Sequence, residues 1–333
     1  MKKTHLKKKS SFDEFAKAIR KQKSFLLTCH VTPEGDAIGS LLAMASLLKK
    51  IGKKVTIVCQ DEFPPRLACL SSKGWQQTRE VDVTKLKFDA LLTTDCPTLK
   101  RIGNVNELIA EDTVIFNIDH HVSNTDFGDY NLVVSEASAS AEVVWDLFKT
   151  FNVKPSKEDA KNLYIGIATD TGAFRYSNTT SKSHRIVAEL IDFGISVEKI
   201  NHEIYARYSL EAMELYGRLF SSIKTAANGA IAWTSVKRED IKKSKALDED
   251  AEGFIDFLRY IKGVKIAFFM WELENGKGVR VSFRSIGVYD VNKIALHFHG
   301  GGHKKASGCI MRTSLREAEK QIVQRITKEL KLS

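Results

Sequence analysis

The chain has 333 residues, 43% of them hydrophobic, and a formal net charge of +10. That length exceeds what one core usually fills, so two domains are expected, and the apolar content is enough for packed globular structure. No stretch approaches the roughly 20 apolar residues of a membrane span, and the positive charge favours polyanionic partners such as nucleotides or short nucleic acid.

Met1 to Ser10 is rich in lysine but no apolar run follows it, so it reads as a solvated tail and not a secretory signal. Phe25 to Cys29 reads as a strand. Asp36 to Ile51 reads as a helix with Ile38, Leu41, Leu42, Ala45 and Leu48 on one face, and Gly52 ends it. Val55 to Cys59, Phe88 to Thr93 and Val114 to Ile118 are further strands. Ala139 to Phe151, Ser156 to Ala168 and Ser181 to Phe193 read as helices, with Ser156 as an N-cap and Gly194 as a stop. Strands alternating with helices predict an α/β fold, a mostly parallel sheet covered by helices on both faces.

After about residue 200 the pattern changes. Glu211 to Thr225 reads as a helix within the connection. Ala230 to Val236, Val264 to Trp271 and Val279 to Arg284 read as strands with few helices between them, and Leu315 to Leu332 as an amphipathic terminal helix. The expected organisation is a domain over 12–200, a helical connection over 201–225 and a smaller α+β domain over 226–330. The five cysteines, Cys29, Cys59, Cys69, Cys96 and Cys309, are odd in number and form no Cys-x-x-Cys pair. They argue against a disulfide framework or zinc ribbon and fit a reducing cytoplasm. Cys29 and Cys96 read as small core fillers.

Four segments of the first half place acids or histidines at element ends. His30 ends a strand; Pro33 and Gly35 tighten the turn that follows, leaving Glu34 and Asp36 at a helix start, where capping and the helix dipole also favour acids. Leu91 to Asp95 is a strand ending in an acid. The apolar run through Ile118 ends in Asp119, His120 and His121, a compact ligand set. Asp170 closes a helix, where an acid is disfavoured unless a cation compensates it. Carboxylates and imidazoles without a ligand cysteine suit manganese or magnesium better than a structural zinc. Two such ions close together would activate a bridging water and clamp a phosphoryl group, with Asp95 able to bridge them.

These segments resemble the four motifs of the DHH phosphoesterase superfamily, whose naming motif Asp119-His120-His121 matches residue for residue. Within it the chain is most similar to two-domain bacterial oligoribonucleases (nano-RNases) that also remove the 3′-phosphate of 3′-phosphoadenosine 5′-phosphate. The resemblance covers roughly residues 12 to 325. It implies one metal on His30, Glu34 and Asp95 and a second on Asp36, Asp95, His120 and Asp170, with His121 toward the substrate phosphate or leaving group. Asp119, His121 and Asp95 are the implied catalytic residues. Glu34 stands where the family usually has aspartate, one methylene shorter, which bears on affinity and metal preference at the first site.

In the second domain, His297 to His303 contains the run Gly300-Gly301-Gly302, whose backbone can approach an anion closely. Arg284 and His303 can donate to phosphate. The run resembles the GGGH motif of the DHH-associated C-terminal domain, downstream of a matching Arg284-Ser285 pair, although the family often has a fourth glycine at the position of His299. The implied substrate contacts are Arg284, Ser285, Gly300, Gly301, Gly302 and His303, across an interdomain cleft.

The resulting expectation is a cytoplasmic enzyme with two divalent ions, Mn2+ ahead of Mg2+. It would cleave dinucleotides to pentanucleotides of RNA to mononucleotides, and 3′-phosphoadenosine 5′-phosphate to AMP, through a hydroxide held between the metals. No membrane partner is expected; a homodimer is common among relatives. The nearest alternative is a stand-alone phosphodiesterase for the linear dinucleotide pApA. A RecJ-type exonuclease would add an oligonucleotide-binding barrel, a membrane cyclic-dinucleotide phosphodiesterase would add spans, and a family II pyrophosphatase would lack the GGGH run. A non-catalytic nucleotide-binding protein would have lost metal ligands, and here every ligand position holds a competent group.

Overall fold

A computed structural model describes residues 8–82, 84, 86–205, 208–273, 278–302 and 304–330. The chain divides into two compact units, 1–207 and 208–333.

The first unit is built on seven parallel strands: β1 (Lys8–Lys9), β2 (Ser24–Cys29), β3 (Lys54–Cys59), β4 (Trp75–Gln77), β5 (Ala90–Thr94), β6 (Val114–Asp119) and β7 (Tyr130–Val133). Their order in the sheet is β1-β7-β6-β5-β2-β3-β4. From the central β2 the chain builds outward to β3 and β4. It then returns to β5 on the other side of β2 and continues to β6 and β7. The sheet thus reverses direction between β2 and β5, and such a switch opens a crevice at the carboxyl ends of the strands.

The apolar runs divide by parity. Phe25, Leu27, Leu92, Phe116 and Ile118 face a core shared with α1 (Phe12–Lys21), α2 (Gly35–Lys50), α3 (Ser140–Thr150), α4 (Lys157–Asp170), α5 (Ser181–Ile191) and α6 (Val197–Tyr205). Leu26, Val58 and Leu91 face the other side, where the 3-10 segment Leu99–Leu108 supplies Ile102 and Val105. Central strands buried on both faces carry continuous apolar sequence and not an alternating pattern. The β2-α2-β3 and β5-to-β6 connections run in opposite directions, so a right-handed crossover places them on opposite faces.

Helices α2 and α4 pack closely because each carries a glycine at the contact. A Cβ on Gly39 would lie 2.4 Å from the carbonyl oxygen of Asn162, and one on Gly166 would lie 2.6 Å from the Ala141 Cβ and 2.8 Å from Asp36 Oδ1. This contact brings the first turn of α2 and the last turn of α4 to one place.

The second unit contains α7 (Leu210–Ser221), β8 (Lys224–Ala226), β9 (Ile231–Val236), α8 (Arg238–Ser244), α9 (Ile255–Leu258), β10 (Ile266–Glu272), β11 (Val279–Ser285), α10 (Val291–His297), β12 (Gly301–Gly302), β13 (Ala306–Met311) and α11 (Leu315–Glu329). The helical pattern read over Glu211 to Thr225 stops at Ser221, and its last residues enter β8 instead, pairing with β9. The mixed sheet has the order β12-β13-β11-β10-β9-β8. One face packs on α10 and α11 through Phe268, Val281, Phe283, Ile322 and Ile326. On the other face, Ala232, Phe269 and Trp271 of β9 and β10 pack against Leu215, Phe254 and Leu258.

Candidate metal centre and phosphate groove

The carboxyl ends of β2, β5 and β6 deliver His30, Asp95 and Asp119-His120-His121 to the switch-point crevice, and the α2–α4 crossing adds Asp36 and Asp170. Asp95 lies at the middle. Its carboxylate is 3.5 Å from His30 Nε2, 3.6 Å from His120 Nε2 and 3.6 Å from His121 Nδ1. Its backbone φ of +59° holds it in the left-handed region, where Asp is among the few tolerated side chains. Burial alone would raise this carboxyl; the His30 contact and the charges of His120 and His121 outweigh that and hold it below the usual range.

Each histidine is oriented through one ring nitrogen. His30 Nδ1 lies 2.8 Å from the Val31 carbonyl and His120 Nδ1 lies 3.2 Å from the Ala137 carbonyl. Donation from Nδ1–H leaves Nε2 of both rings as a lone-pair donor facing the carboxylates, the tautomer a metal ligand requires. His121 differs: its Nδ1–H donates to Asp119 Oδ1 at 2.7 Å. Desolvation lowers the His121 pKa, but the Asp119 hydrogen bond with Asp119, Asp95 and Asp170 raises it to about 9. Asp119 is fully buried. Its Oδ1 also accepts from His120 N, and its Oδ2 accepts from Asn124 Nδ2.

Asp36 is 2% exposed and accepts from the backbone N–H groups of Ser140 and Ala141, at 2.6 and 2.9 Å, so it caps the N-terminus of α3. Burial, then the charges of Asp95 and Asp170, push its carboxyl well above the ordinary range. Asp170 is raised to about 6, by burial first, with Asp95 and Glu34 also raising it against the pull of His120. Glu34 stands exposed at the N-cap of α2 and makes no capping hydrogen bond with its side chain.

Among the described residues, two groups bring ligand atoms within 4.8 Å of one another: Asp95, His120 and His121, and Asp36, His120 and Asp170. A divalent cation fits this set. The donors are oxygen and imidazole nitrogen, two carboxyls are raised by burial and by neighbouring carboxylates, which a cation would offset, and His120 presents Nε2 with its lone pair.

The sequence reading missed the segment Ala137 to Glu142, which organises much of this geometry. The Ala137 carbonyl orients His120, Ser140 Oγ donates to Asp95 Oδ1 at 3.0 Å, and the Ser138 carbonyl accepts from Asn178 Nδ2, which also donates to Asp170 Oδ2 at 3.3 Å. Ser138 Oγ donates to the buried Glu142 and pins the segment. Small, weakly polar residues in a helix-start pattern carry no sequence signal for such a role. Cys29 and Cys96 are buried and burial raises both thiols, with the Cys59 contact first for Cys29, so neither is primed as a nucleophile.

In the second unit, β11 alternates. Val279, Val281, Phe283 and Ser285 point to the core; Arg280, Ser282 and Arg284 point outward. The outward face of β11 and that of β13 form the floor of a groove of about 650 Å3, walled by His299 and Gly300 to Gly302. Ser285 is 4% exposed and its hydroxyl donates to the Tyr289 carbonyl at 2.8 Å, so it fastens a loop beneath the groove. Gly300 abuts the Gly308 carbonyl and Cys309, and Gly302 has φ +143°, so neither tolerates a side chain. His299 adopts φ +59°, a conformation glycine takes at no cost, and its exposed ring stands at the groove wall. His303 lies outside the described residues.

Residues 24–167 match the N-terminal domain of the DHH family, and residues 234–332 match the DHHA1 domain. The bifunctional oligoribonuclease and PAP phosphatase NrnA of Thermus thermophilus is 31% identical over 91% of this chain and 89% of its own length. The chain belongs to the DHH family. The protein of the same name from Bacillus subtilis is 27% identical over 89% of this chain and 91% of its own. Among solved structures, an exopolyphosphatase-related protein from Bacteroides fragilis superposes with a TM-score of 0.87 at 29% identity, covering 96% of this chain and 97% of that one. The matched N-terminal segment runs from β2 into the body of α4. Among the described residues no helix is long and apolar enough to cross a membrane.

Proposed function

We propose that this DHH-family chain is a phosphoesterase that hydrolyses short oligoribonucleotides to mononucleotides and 3′-phosphoadenosine 5′-phosphate to AMP. The observation that carries this reading is the Asp95-centred cluster, joined in one chain to an arginine- and glycine-lined groove of the DHHA1 domain. The likeness to the two NrnA proteins over nearly the whole chain supports the substrate class.

Asp36, Asp95, His120 and Asp170 would hold one divalent ion, and Asp95 with His30 and Glu34 a second, Mn2+ ahead of Mg2+. Such ions supply an activated water and neutralise charge on the phosphoryl oxygens. The chain's own residues do the rest. Asp119 fixes the His121 ring through Nδ1, which leaves Nε2 to hydrogen-bond the scissile phosphate or the departing oxygen. Ser140, Ala141 and Asn178 hold the carboxylates in place before substrate arrives, so little reorganisation remains for the reaction itself. Arg284 and the Gly300 to Gly302 backbone take a phosphate that is not being cleaved. The enzyme acts in the cytoplasm, as a homodimer.

The test compares rates in Mn2+ and in EDTA on dinucleotides to pentanucleotides of RNA, pApA, 3′-phosphoadenosine 5′-phosphate and pyrophosphate. Mn2+-dependent release of mononucleotides and AMP is expected. Nucleotide binding without hydrolysis of any of them would overturn the reading, and pApA outpacing every RNA would favour a dedicated pApA phosphodiesterase.

A further inference from the structure

We infer that Arg280 forms a second phosphate subsite in the β11–β13 groove, one that engages the backbone of an oligonucleotide and lies beyond the reach of a mononucleoside bisphosphate. The inference deepens the reading above and rests on it for the reaction.

Arg280 and Arg284 lie on the same outward face of β11, four residues apart, so their Cα atoms are separated by about 13 Å along the strand. Both line one groove. Between them the floor is made of small residues: Ser282 on β11, paired with Gly308 on β13, then Ala306 opposite Arg284. The outward face of β10 is covered by the α7–α9 core, and α9 reaches β11 at the Arg284 end, where Asp256 Oδ1 lies 3.9 Å from Arg284 Nε; from there the groove lined by β11 and β13 runs to Arg280. The far end is apolar. Arg280 pairs across the ladder with Ile310, which is 62% exposed and supplies the apolar surface there, while its guanidinium lies 5.9 Å from the ring centroid of the buried Trp271. The wall adds the exposed His299 ring.

Two forked cations at a fixed spacing, a hydroxyl and glycine backbone between them, and aromatic or apolar surface at the wall and far end are what a single strand needs. Its phosphates take the cations and its bases find flat surface. A bisphosphate whose uncleaved phosphate sits on Arg284 has no further anion to present about 13 Å away. A longer chain, whose phosphates continue past the one on Arg284, does. Arg280 therefore discriminates between the two substrate types, binding in the ground state and taking no part in the chemistry.

The test measures kcat/KM in Mn2+ for 3′-phosphoadenosine 5′-phosphate and for RNA dinucleotide, trinucleotide and tetranucleotide, with the wild type, Arg280→Ala, Arg280→Lys and Arg284→Ala. In Arg280→Ala the tetranucleotide-to-bisphosphate ratio of kcat/KM is expected to fall about tenfold, through KM, because one charge-assisted phosphate contact is lost. Arg280→Lys should recover part of that loss, and the salt dependence for the tetranucleotide should shallow by about 0.7 in log–log slope in Arg280→Ala. Arg284→Ala should lower both substrates together. An unchanged ratio in Arg280→Ala, or a loss confined to kcat, overturns the subsite. A wild type that cleaves no RNA at all instead overturns the substrate reading, a result distinct from the first.

Discussion

His121 Nδ1 donates to Asp119 Oδ1 at 2.7 Å, and Asp119 is fully buried with its other oxygen held by Asn124. The acid of the naming motif therefore serves its histidines and lies in neither of the two ligand groups. Asp119→Asn preserves the shape but offers one acceptor oxygen in place of two, so either His121 or Asn124 loses its partner. A fall in kcat of roughly 10- to 100-fold is expected, as for other residues that orient a site from behind, with circular dichroism unchanged. Near-normal kcat on both substrate types would remove Asp119 from the site.

Much of the centre is legible in the sequence, because His30, Asp95 and Asp119 each stand at the carboxyl end of a mostly apolar strand, and strand ends are where a parallel sheet binds ligands. What supports those residues is not legible. Ser140 and Ala141 act through backbone N–H groups on Asp36, over a hundred residues away, and only the packing of α2 on α3 and α4 brings them together. The short strand β7 and the glycine-bearing β13 also escape a pattern search. In β13 the outward residues Ala306 and Gly308 are small where they floor the groove, which erases the polar–apolar alternation.

Without metal, the cluster makes stability pH-dependent in a defined direction. Asp170 has a folded pKa of about 6 against 3.8 for the free side chain, so as pH falls from 6 toward 4 the folded state binds a proton that the unfolded state does not, and stability rises. His121, at about 9 against 6.5, contributes stability that is complete below pH 6.5 and lost as pH rises through 9. Asp95 is depressed, so its contribution is present above 3.8 and lost below. In EDTA the first unit should therefore be more stable near pH 5 than near pH 9. Thermal melts at the two pH values check this, the relevant transition being the one that Mn2+ shifts. Equal midpoints in EDTA would contradict the crowding of these carboxyls.

Lys50 on α2 donates to Asp159 Oδ2 at 2.5 Å, while Asp159, with a side chain 2% exposed, also accepts from Ser156 N and Oγ at the start of α4. Burial raises the Asp159 carboxyl, but Lys50 and Ser156 together hold it below its ordinary value. Lys50→Met keeps the aliphatic stem and leaves the buried carboxylate without its cation, so a loss of about 1–3 kcal/mol is expected at pH 7. Because the folded pKa is depressed, the loss should persist above pH 3.8 and fade as pH falls through the folded value. Urea titrations of wild type and variant at pH 7 and pH 3.5 test both parts. A difference that does not shrink at the lower pH would place the effect in packing and not charge.

Gly39 and Gly217 both sit inside helices, yet the same substitution should act on them in opposite directions. At Gly217, on the exposed side of α7, no atom lies within 4 Å of an added Cβ, so Gly217→Ala should stabilise the second unit by roughly 0.5–1 kcal/mol through helix propensity alone. At Gly39 the added Cβ would meet the Asn162 carbonyl oxygen at 2.4 Å, and a backbone atom in a packed helix cannot step aside. Helix α2 must then move off α4, at a cost of about 1–3 kcal/mol. That movement carries Asp36 away from Asp170, whose carboxylates share His120 in one ligand group. Gly39→Ala should therefore weaken Mn2+ binding as well as stability, whereas Gly217→Ala should leave Mn2+ binding as it was. Calorimetric Mn2+ titration of the two variants separates these effects. A Gly39→Ala protein that is less stable but binds Mn2+ with wild-type affinity would mean that the helix crossing supports the fold and not the metal site.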